Sequence, residues 1–108
     1  MTVKELAERL SLKTLTSPDE SREVLGCYAG DLLSWVMGRA QSDDAWVTIM
    51  TNVNIVAVAM LADVSCVIIA ESAEIEKDVV EKASEKGINL YTSDKTVYQL
   101  CAEISKLV

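Results

Sequence analysis

The stretch that decides the fold runs from Trp46 to Ile69 and reads WVTIMTNVNIVAVAMLADVSCVII. Two strand-length apolar runs, Trp46–Met50 and Cys66–Ile69, are rich in β-branched residues. Between them, Ile55–Ala62 mixes β-branched residues with Ala and is ambiguous between helix and strand. We interpret it as a buried helix because strands that alternate with helices form βα units. The unbroken apolar run Cys66–Ile69 is typical of a parallel strand that is covered on both faces.

Further helices and strands are predicted on both sides of this stretch. Thr2 and Glu5 have the spacing of a capping box, which predicts a helix up to Leu10. The predicted N-caps of three other helices are Asp31, Ser72, and either Ser93 or Asp94. Short strands are expected at Leu12–Thr16, Val24–Tyr28 and Ile88–Tyr91. The order α-β-β-α-β-α-β-α-β-α predicts an α/β fold, a single three-layer domain over residues 1–108 with a mostly parallel sheet of about five strands flanked by helices.

The composition excludes several classes of function. The 108 residues include 10 basic and 17 acidic side chains, which gives a formal net charge of -7, and there is no His. This acidity disfavours binding to nucleic acid or to anionic membranes. Without His, and with Cys27, Cys66 and Cys101 far apart, no metal or cofactor is expected.

The same features predict where the protein is found. A sparse, odd number of cysteines is typical of a reducing cytoplasm. The charged N-terminus does not resemble a signal peptide. The uncharged run Ala45–Ala62 is interrupted by Thr and Asn side chains, which a bilayer core tolerates poorly. We therefore expect a soluble, cytoplasmic protein.

Polar side chains follow the predicted strands and mark a candidate binding site. In open parallel sheets, ligands bind beyond the carboxyl ends of the strands, where helix N-termini also point. A cap or turn residue in such a loop serves the backbone and can also face a ligand. The candidate ligand-binding residues at this edge are Gly30, Asp31, Thr51, Asn52, Asn54, Ser72, Thr92 and Ser93.

Catalytic motifs are missing from the sequence. The four glycines are dispersed, so no phosphate-binding loop of the P-loop type is formed. The spacing of Gly26 and Gly30 around Tyr28 only superficially resembles a nucleophile elbow, because no His can act as the base. Cys27 at a strand end is the one possible nucleophile, if a helix N-terminus lowers its pKa. We expect a protein that is not an enzyme.

Trp35 suggests a contact surface. Met37 is predicted on the core face of its helix, together with Val36, and Trp35 falls on the opposite face. An exposed Trp in a chain this poor in aromatic residues favours a protein interface, such as that of a homodimer. The alternative is that Trp35 folds over a neighbouring loop.

Four segments carry a resemblance to a known family. They are Gly30–Met37 (GDLLSWVM), Trp46–Ala59 (WVTIMTNVNIVAVA), Cys66–Glu71 (CVIIAE) and Lys86–Ser93 (KGINLYTS). Together they resemble the DRTGG domain family, and more closely its small stand-alone members. The Asp-Arg-Thr-Gly-Gly string itself is absent, and the turn Thr51–Asn54 is its nearest counterpart by position.

The resemblance has implications for both fold and role. It implies an α/β domain similar to the N-terminal domain of HPr kinase/phosphorylase, which is not catalytic there, and no phosphotransfer carries over. Related modules lie beside CBS domains in regulated pyrophosphatases, where they help to house an adenine-nucleotide regulator. Stand-alone members are encoded near iron-only hydrogenase components, which implies an anaerobic organism.

The sequence is compatible with two functions. The first is a non-enzymatic regulatory or sensory module that binds a small nucleotide-like ligand, such as an adenine or uridine nucleotide, at the strand carboxyl edge. The second is a homodimeric interaction protein or adaptor of a redox enzyme of the iron-only hydrogenase type, without a ligand.

Overall fold

A computed structural model describes residues Met1–Val108. The helices are α1 Val3–Leu10, α2 Leu33–Arg39, α3 Asn54–Ala62, α4 Lys77–Glu85 and α5 Val97–Ile104. The strands are β1 Lys13–Thr16, β2 Gly26–Ala29, β3 Asp44–Thr48, β4 Cys66–Ile69 and β5 Leu90–Thr92. None of the five helices combines the length and the apolarity that crossing a membrane requires.

The five strands form one sheet in the order β1-β5-β4-β3-β2. The pairs β2–β3, β3–β4 and β4–β5 are parallel, and β1 runs antiparallel to β5 at one end of the sheet. Every residue of β3 and of β4 is buried, as a strand covered on both faces requires. The prediction of an α/β fold with a mostly parallel five-stranded sheet is confirmed, and so is the helix at Ile55–Ala62.

Two hydrophobic cores lie on opposite faces of the sheet, which gives the three layers. One core packs α2, α3 and α4 against side chains such as Trp46, Val67 and Leu90. The other packs α1 and α5 against Ala45, Ile68 and other side chains of the opposite face. Because alternate residues of a strand point to opposite faces, each buried strand contributes to both cores.

The ends of the helices differ from the predictions in three places. The capping box of α1 is present as predicted, with the Glu5 amide donating to Thr2 Oγ1 over 3.1 Å. Helices α2 and α4 begin after Leu32 and Glu76, and neither side chain caps its helix. Helix α5 is capped by Thr96, which forms a capping box with Gln99. The predicted caps Asp31, Ser72, and Ser93 or Asp94 are therefore wrong. Their side chains form hydrogen bonds within and between the loops at the edge of the sheet instead.

The prediction for Met37 is also wrong. Its side chain is 46% exposed, and Val36 is the only buried residue of α2. Helix α2 has seven residues and lies beside the edge strand β2, so only a narrow stripe of it reaches the core. Trp35 is 52% exposed, which confirms that it lies outside the core.

Polar side chains close the edge of the sheet where the parallel strands begin. Arg22 donates hydrogen bonds to the carboxylates of Asp43 and Asp63, both over 2.9 Å. Buried Asn89 donates to the carbonyl oxygens of Asp19 and Ser65, over 2.8 and 2.9 Å, and accepts from the Asp19 amide over 3.0 Å. These bonds join the loop before β2 to the starts of β4 and β5.

The Asn89 bonds give a test of this closed edge. The change Asn89→Ala removes three hydrogen bonds and leaves the Ser65 carbonyl without that donor, so we expect it to lower the free energy of unfolding by about 2–4 kcal/mol. Urea denaturation measures the change. The control Asn54→Ala removes an exposed side chain and is expected to alter stability by less than about 0.5 kcal/mol. Equal effects of the two changes would contradict a structural role for Asn89.

Candidate functional site

The opposite edge of the sheet, where the parallel strands end, holds the candidate site. The loops that follow β2, β3, β4 and β5 meet there, together with the first residue of antiparallel β1, Lys13. The structure divides the eight predicted site residues between two halves of this edge. Ser72, Thr92 and Ser93 lie together on the half formed by β4, β5 and β1. The half formed by β2 and β3 carries Gly30, Asp31, Thr51, Asn52 and Asn54.

An open cavity of about 350 Å³ occupies the half formed by β4, β5 and β1. We call it the edge cavity; it is lined by Lys13, Leu15, Ser72, Ala73, Glu74, Ile75, Thr92, Ser93 and Asp94. Lys13 and Leu15 were not among the predicted site residues. They reach the edge cavity because β1 pairs antiparallel with β5 (Lys13 opposite Thr92), and the sequence carries no local signal of that pairing.

The wall of the edge cavity after β4 has an unusual backbone. Glu71 and Ser72 are consecutive non-glycine residues with φ of 62° and 57°, in the left-handed region that side chains disfavour. Their amides donate to the carbonyl oxygens of Lys95, over 2.9 Å, and Ser93, over 3.0 Å. The Ser72 hydroxyl donates to Asp94 Oδ1 over 2.8 Å. These bonds offset the backbone cost and fix this wall against the loop after β5.

The side chains of the edge cavity define what it can hold. Lys13 is its one cation, and Glu74 and Asp94 are its two carboxylates. Leu15, Ala73 and Ile75 provide an apolar surface, and three hydroxyl side chains provide donors and acceptors. The edge cavity therefore suits a ligand with an apolar ring, hydroxyl groups and a small negative charge. A densely charged polyanion would meet two carboxylates for each cation.

On the other half of the edge, the predicted residues stabilise the loops themselves. Asp31 Oδ1 accepts hydrogen bonds from the Thr48 hydroxyl over 2.7 Å and from the Ile49 amide over 3.0 Å. The Gly30 carbonyl oxygen accepts from Trp46 Nε1 over 2.9 Å. Asp31 and Gly30 thereby hold the loop after β2 against β3.

The turn after β3 is likewise bonded within itself. Asn52 Oδ1 accepts from the Asn54 amide over 2.7 Å, at the start of α3. Thr51 is half-buried, and the side chains of Asn52 and Asn54 are exposed. None of these three residues lines the edge cavity.

Apolar side chains are exposed on the same half of the edge. Leu32, Trp35, Ile49 and Val53 each expose more than two fifths of their surface, and we call these four residues the apolar patch. The Arg39 guanidinium lies 3.7 Å from the centre of the Trp35 ring, in a cation–π contact. The edge thus has a polar cavity on one half and an apolar surface on the other.

The possible nucleophile Cys27 lies on β2, away from the edge cavity. Burial of its thiol raises the pKa of Cys27, and the nearby Cys101 thiol raises it further. A raised pKa keeps the thiol protonated at neutral pH, whereas a catalytic cysteine needs a lowered pKa. This environment does not activate Cys27 as a nucleophile.

The Asp31 bonds predict a structural effect of mutating this residue. The change Asp31→Ala leaves the buried Thr48 hydroxyl and the Ile49 amide without their charged acceptor, so we expect a loss of about 2 kcal/mol in the free energy of unfolding. Asp31→Asn keeps a neutral oxygen acceptor and is expected to lose less. Urea denaturation compares both with Glu81→Ala, an exposed helical change. If Asp31→Ala matched Glu81→Ala, the anchoring role would be wrong.

Comparison with known proteins identifies a similar fold and no sequence family. No family model matches the chain, and no curated protein matches it. Among solved structures, the crystal structure of the CBS and DRTGG domains of the regulatory region of Clostridium perfringens pyrophosphatase, complexed with the activator diadenosine tetraphosphate, is similar with a TM-score of 0.71. The similarity covers 94% of this chain and 44% of that one, at 14% identity. At this identity the likeness shows the fold.

Proposed function

We propose that this protein is a non-enzymatic regulatory module that binds a small nucleotide-like ligand in the edge cavity. The observation that carries the proposal is the edge cavity itself, where an apolar surface, three hydroxyl side chains, one cation and two carboxylates converge. It lies beyond the carboxyl ends of parallel strands, the usual place for ligands in open α/β sheets.

The chemistry of the edge cavity matches the parts of a nucleotide. Leu15 and Ile75 provide an apolar surface for the base. Asp94 is a carboxylate of the kind that accepts hydrogen bonds from ribose hydroxyls. Lys13 provides one positive charge for one phosphate group. Thr92 and Ser93 lie beside these groups and supply further hydrogen bonds.

The balance of charge favours a nucleoside monophosphate over a triphosphate, and the adenine and uridine nucleotides are the ones that we propose to test. Glu74 and Asp94 repel the additional phosphates of a triphosphate, and the net charge of -7 acts in the same direction. The phosphate of a monophosphate would lie at Lys13, and the carboxylates would accept hydrogen bonds from the sugar hydroxyls.

The structural comparison is consistent with a regulatory role. The similar chain is the regulatory region of a pyrophosphatase, and its structure holds a nucleotide activator. The likeness supports a DRTGG-like fold, and it covers 44% of that chain.

Isothermal titration calorimetry tests the proposed ligand. We expect AMP or UMP to bind more tightly than ATP, because the triphosphate brings extra charge to the two carboxylates. Lys13→Gln is expected to weaken monophosphate binding by about two- to fivefold, the usual worth of one exposed ion pair. Lys4→Gln, which removes an exposed lysine from α1, is the matched control and should leave the affinity unchanged.

Three results would contradict the proposal. They are the absence of binding by any nucleotide at millimolar concentration, tighter binding of ATP than of AMP and UMP, and equal effects of Lys13→Gln and Lys4→Gln. Thr92→Val supplies a second probe of the same cavity, since it removes a hydroxyl at nearly constant volume. It is expected to weaken binding without a change in the unfolding midpoint.

The apolar patch favours a second function, self-association. A half-exposed Trp on the same half of the edge as three other exposed apolar side chains is typical of a protein interface, where Trp often supplies much of the binding energy. We propose that the patch pairs with a second copy of this chain. This proposal is compatible with ligand binding, because the patch and the edge cavity lie on different halves of the edge.

Light scattering coupled to size-exclusion chromatography tests the dimer. The protein is expected to show twice the mass of one chain, and Trp35→Asp is expected to give a monomer because it buries a charge in the interface. Tyr98→Asp changes another exposed aromatic residue, on α5, and is expected to remain dimeric. A protein that is already a monomer before mutation would exclude this function.

A further inference from the structure

The three cysteines, far apart in the sequence, lie on one face of the sheet. In the parallel register, Ala45 of β3 stands between Cys27 of β2 and Cys66 of β4, so these three side chains point to the same face. Helix α5 packs on that face and carries Cys101 among the residues against the core. The fold therefore places all three thiols on the side of the sheet that α5 covers.

Two of these thiols share an open groove. Cys27 and Cys101 line a groove of about 360 Å³ between the edge strand β2 and α5, and its walls are mainly apolar, including Leu25, Ala29 and Val108. Cys27 is exposed and Cys101 is half-buried, so a small reagent can reach both residues. Cys66 is 1% exposed and does not line the groove. Of the three cysteines, only Cys27 and Cys101 therefore line the groove together.

We propose that Cys27 and Cys101 form a reversible dithiol–disulfide pair that joins the edge strand β2 to helix α5. The pair is separate from the edge cavity and from the apolar patch. Its reaction partner is a low-molecular-weight disulfide, such as oxidised glutathione, which the open groove admits.

The reaction proceeds by two thiol–disulfide exchanges. In the first, the thiolate of one cysteine attacks a sulfur of the glutathione disulfide, forms a mixed disulfide and releases one glutathione thiolate. In the second, the thiolate of the other cysteine attacks the protein sulfur of that mixed disulfide and releases the second glutathione. Two electrons pass from the protein to the glutathione disulfide, and the two thiol protons end on the two released glutathiones.

The surroundings of Cys27 make the reaction slow. Although the Cys27 residue is exposed as a whole, the protein atoms packed around its thiol desolvate it and raise its pKa. Cys101 raises this pKa further by hydrogen bonding and charge repulsion, and Asp44 and Cys66 by charge repulsion. Burial also raises the pKa of Cys66, to about 12. Since only the thiolate attacks, the reactive fraction at neutral pH is small. The disulfide is therefore expected to form during prolonged exposure to oxidised glutathione and not during brief exposure.

The disulfide has a structural consequence. Strand β2 is one of the two edge strands of the sheet and pairs only with β3, and the bond would tie it to a helix of the neighbouring layer. The closed loop spans residues 27 to 101, most of the chain, and long closed loops restrict the unfolded state strongly. Oxidation is therefore expected to raise the thermal midpoint by about 10 °C or more.

Oxidation of the intact protein followed by mass spectrometry tests the pair. Prolonged incubation with oxidised glutathione is expected to remove two hydrogen atoms from the protein without adding glutathione, with peptide mapping placing the bond between Cys27 and Cys101. Dithiothreitol is expected to reverse both the mass change and the rise in thermal midpoint. Cys66→Ala is the matched control and is expected to oxidise as the unmodified protein does.

Variants that lack one cysteine distinguish formation of the Cys27–Cys101 disulfide from attachment of glutathione to a single cysteine. Cys27→Ser and Cys101→Ser are each expected to accumulate one glutathione adduct on the remaining groove thiol, because the second exchange has no attacking group. The proposal would be overturned if the unmodified protein gained adducts on both cysteines without closing the ring. Covalent dimers alone would overturn it as well, and so would the absence of any reaction after prolonged incubation at a raised pH, where a larger fraction of the thiols is ionised.

Discussion

The burial of β3 and β4 on both faces is the constraint on which the rest of the structure depends. Strands without a solvent face need helices above and below, and parallel neighbours must be joined by crossovers that pass over the sheet. These crossovers bring the starts of all parallel strands to one edge and their ends to the other. The two edges are therefore formed by different loops, which differ in their side-chain contacts and in the cavities between them.

The edge where the parallel strands start is cross-linked, and the edge where they end is open. Arg22 and Asn89 tie the loop before β2 to the starts of the central strands through charged and buried hydrogen bonds. At the other edge, Asp31 and Ser72 bind loops to one another and leave the edge cavity between β1 and the loops after β4 and β5. Both edges are held by side-chain hydrogen bonds, and the edge where the strands end also carries an open cavity.

The elements could be predicted from sequence wherever the signal was local. The capping box of Thr2 and Glu5, the buried run Cys66–Ile69 and the helix at Ile55–Ala62 follow from spacing and from the alternation of strands with helices. Asp31 and Ser72 were misplaced because such side chains have several possible partners, and tertiary contacts supplied better ones than a helix N-terminus. Thr96 and Gln99 did carry the spacing of a capping box. The entry of Lys13 into the edge cavity depends on the direction of β1, which no local pattern specifies.

A regulatory module needs a physical connection between the place where a ligand binds and the surface that responds. Thr48, fully buried at the end of β3, provides one such connection. Its hydroxyl donates to Asp31 on the side of the apolar patch, and its carbonyl oxygen accepts from the amide of Ala70, one residue before the left-handed pair Glu71–Ser72 that walls the edge cavity. A ligand that shifts Ser72 acts on a backbone held in a disfavoured conformation. The bonds from the Ala70 amide to the Thr48 carbonyl oxygen (2.9 Å) and from the Thr48 hydroxyl to Asp31 (2.7 Å) lead from there to the residues that precede α2, the helix that carries Trp35. Coupling between the two halves of the edge therefore requires a second conformation of the residues along this connection, and the protein must bind the ligand with a different affinity in that conformation.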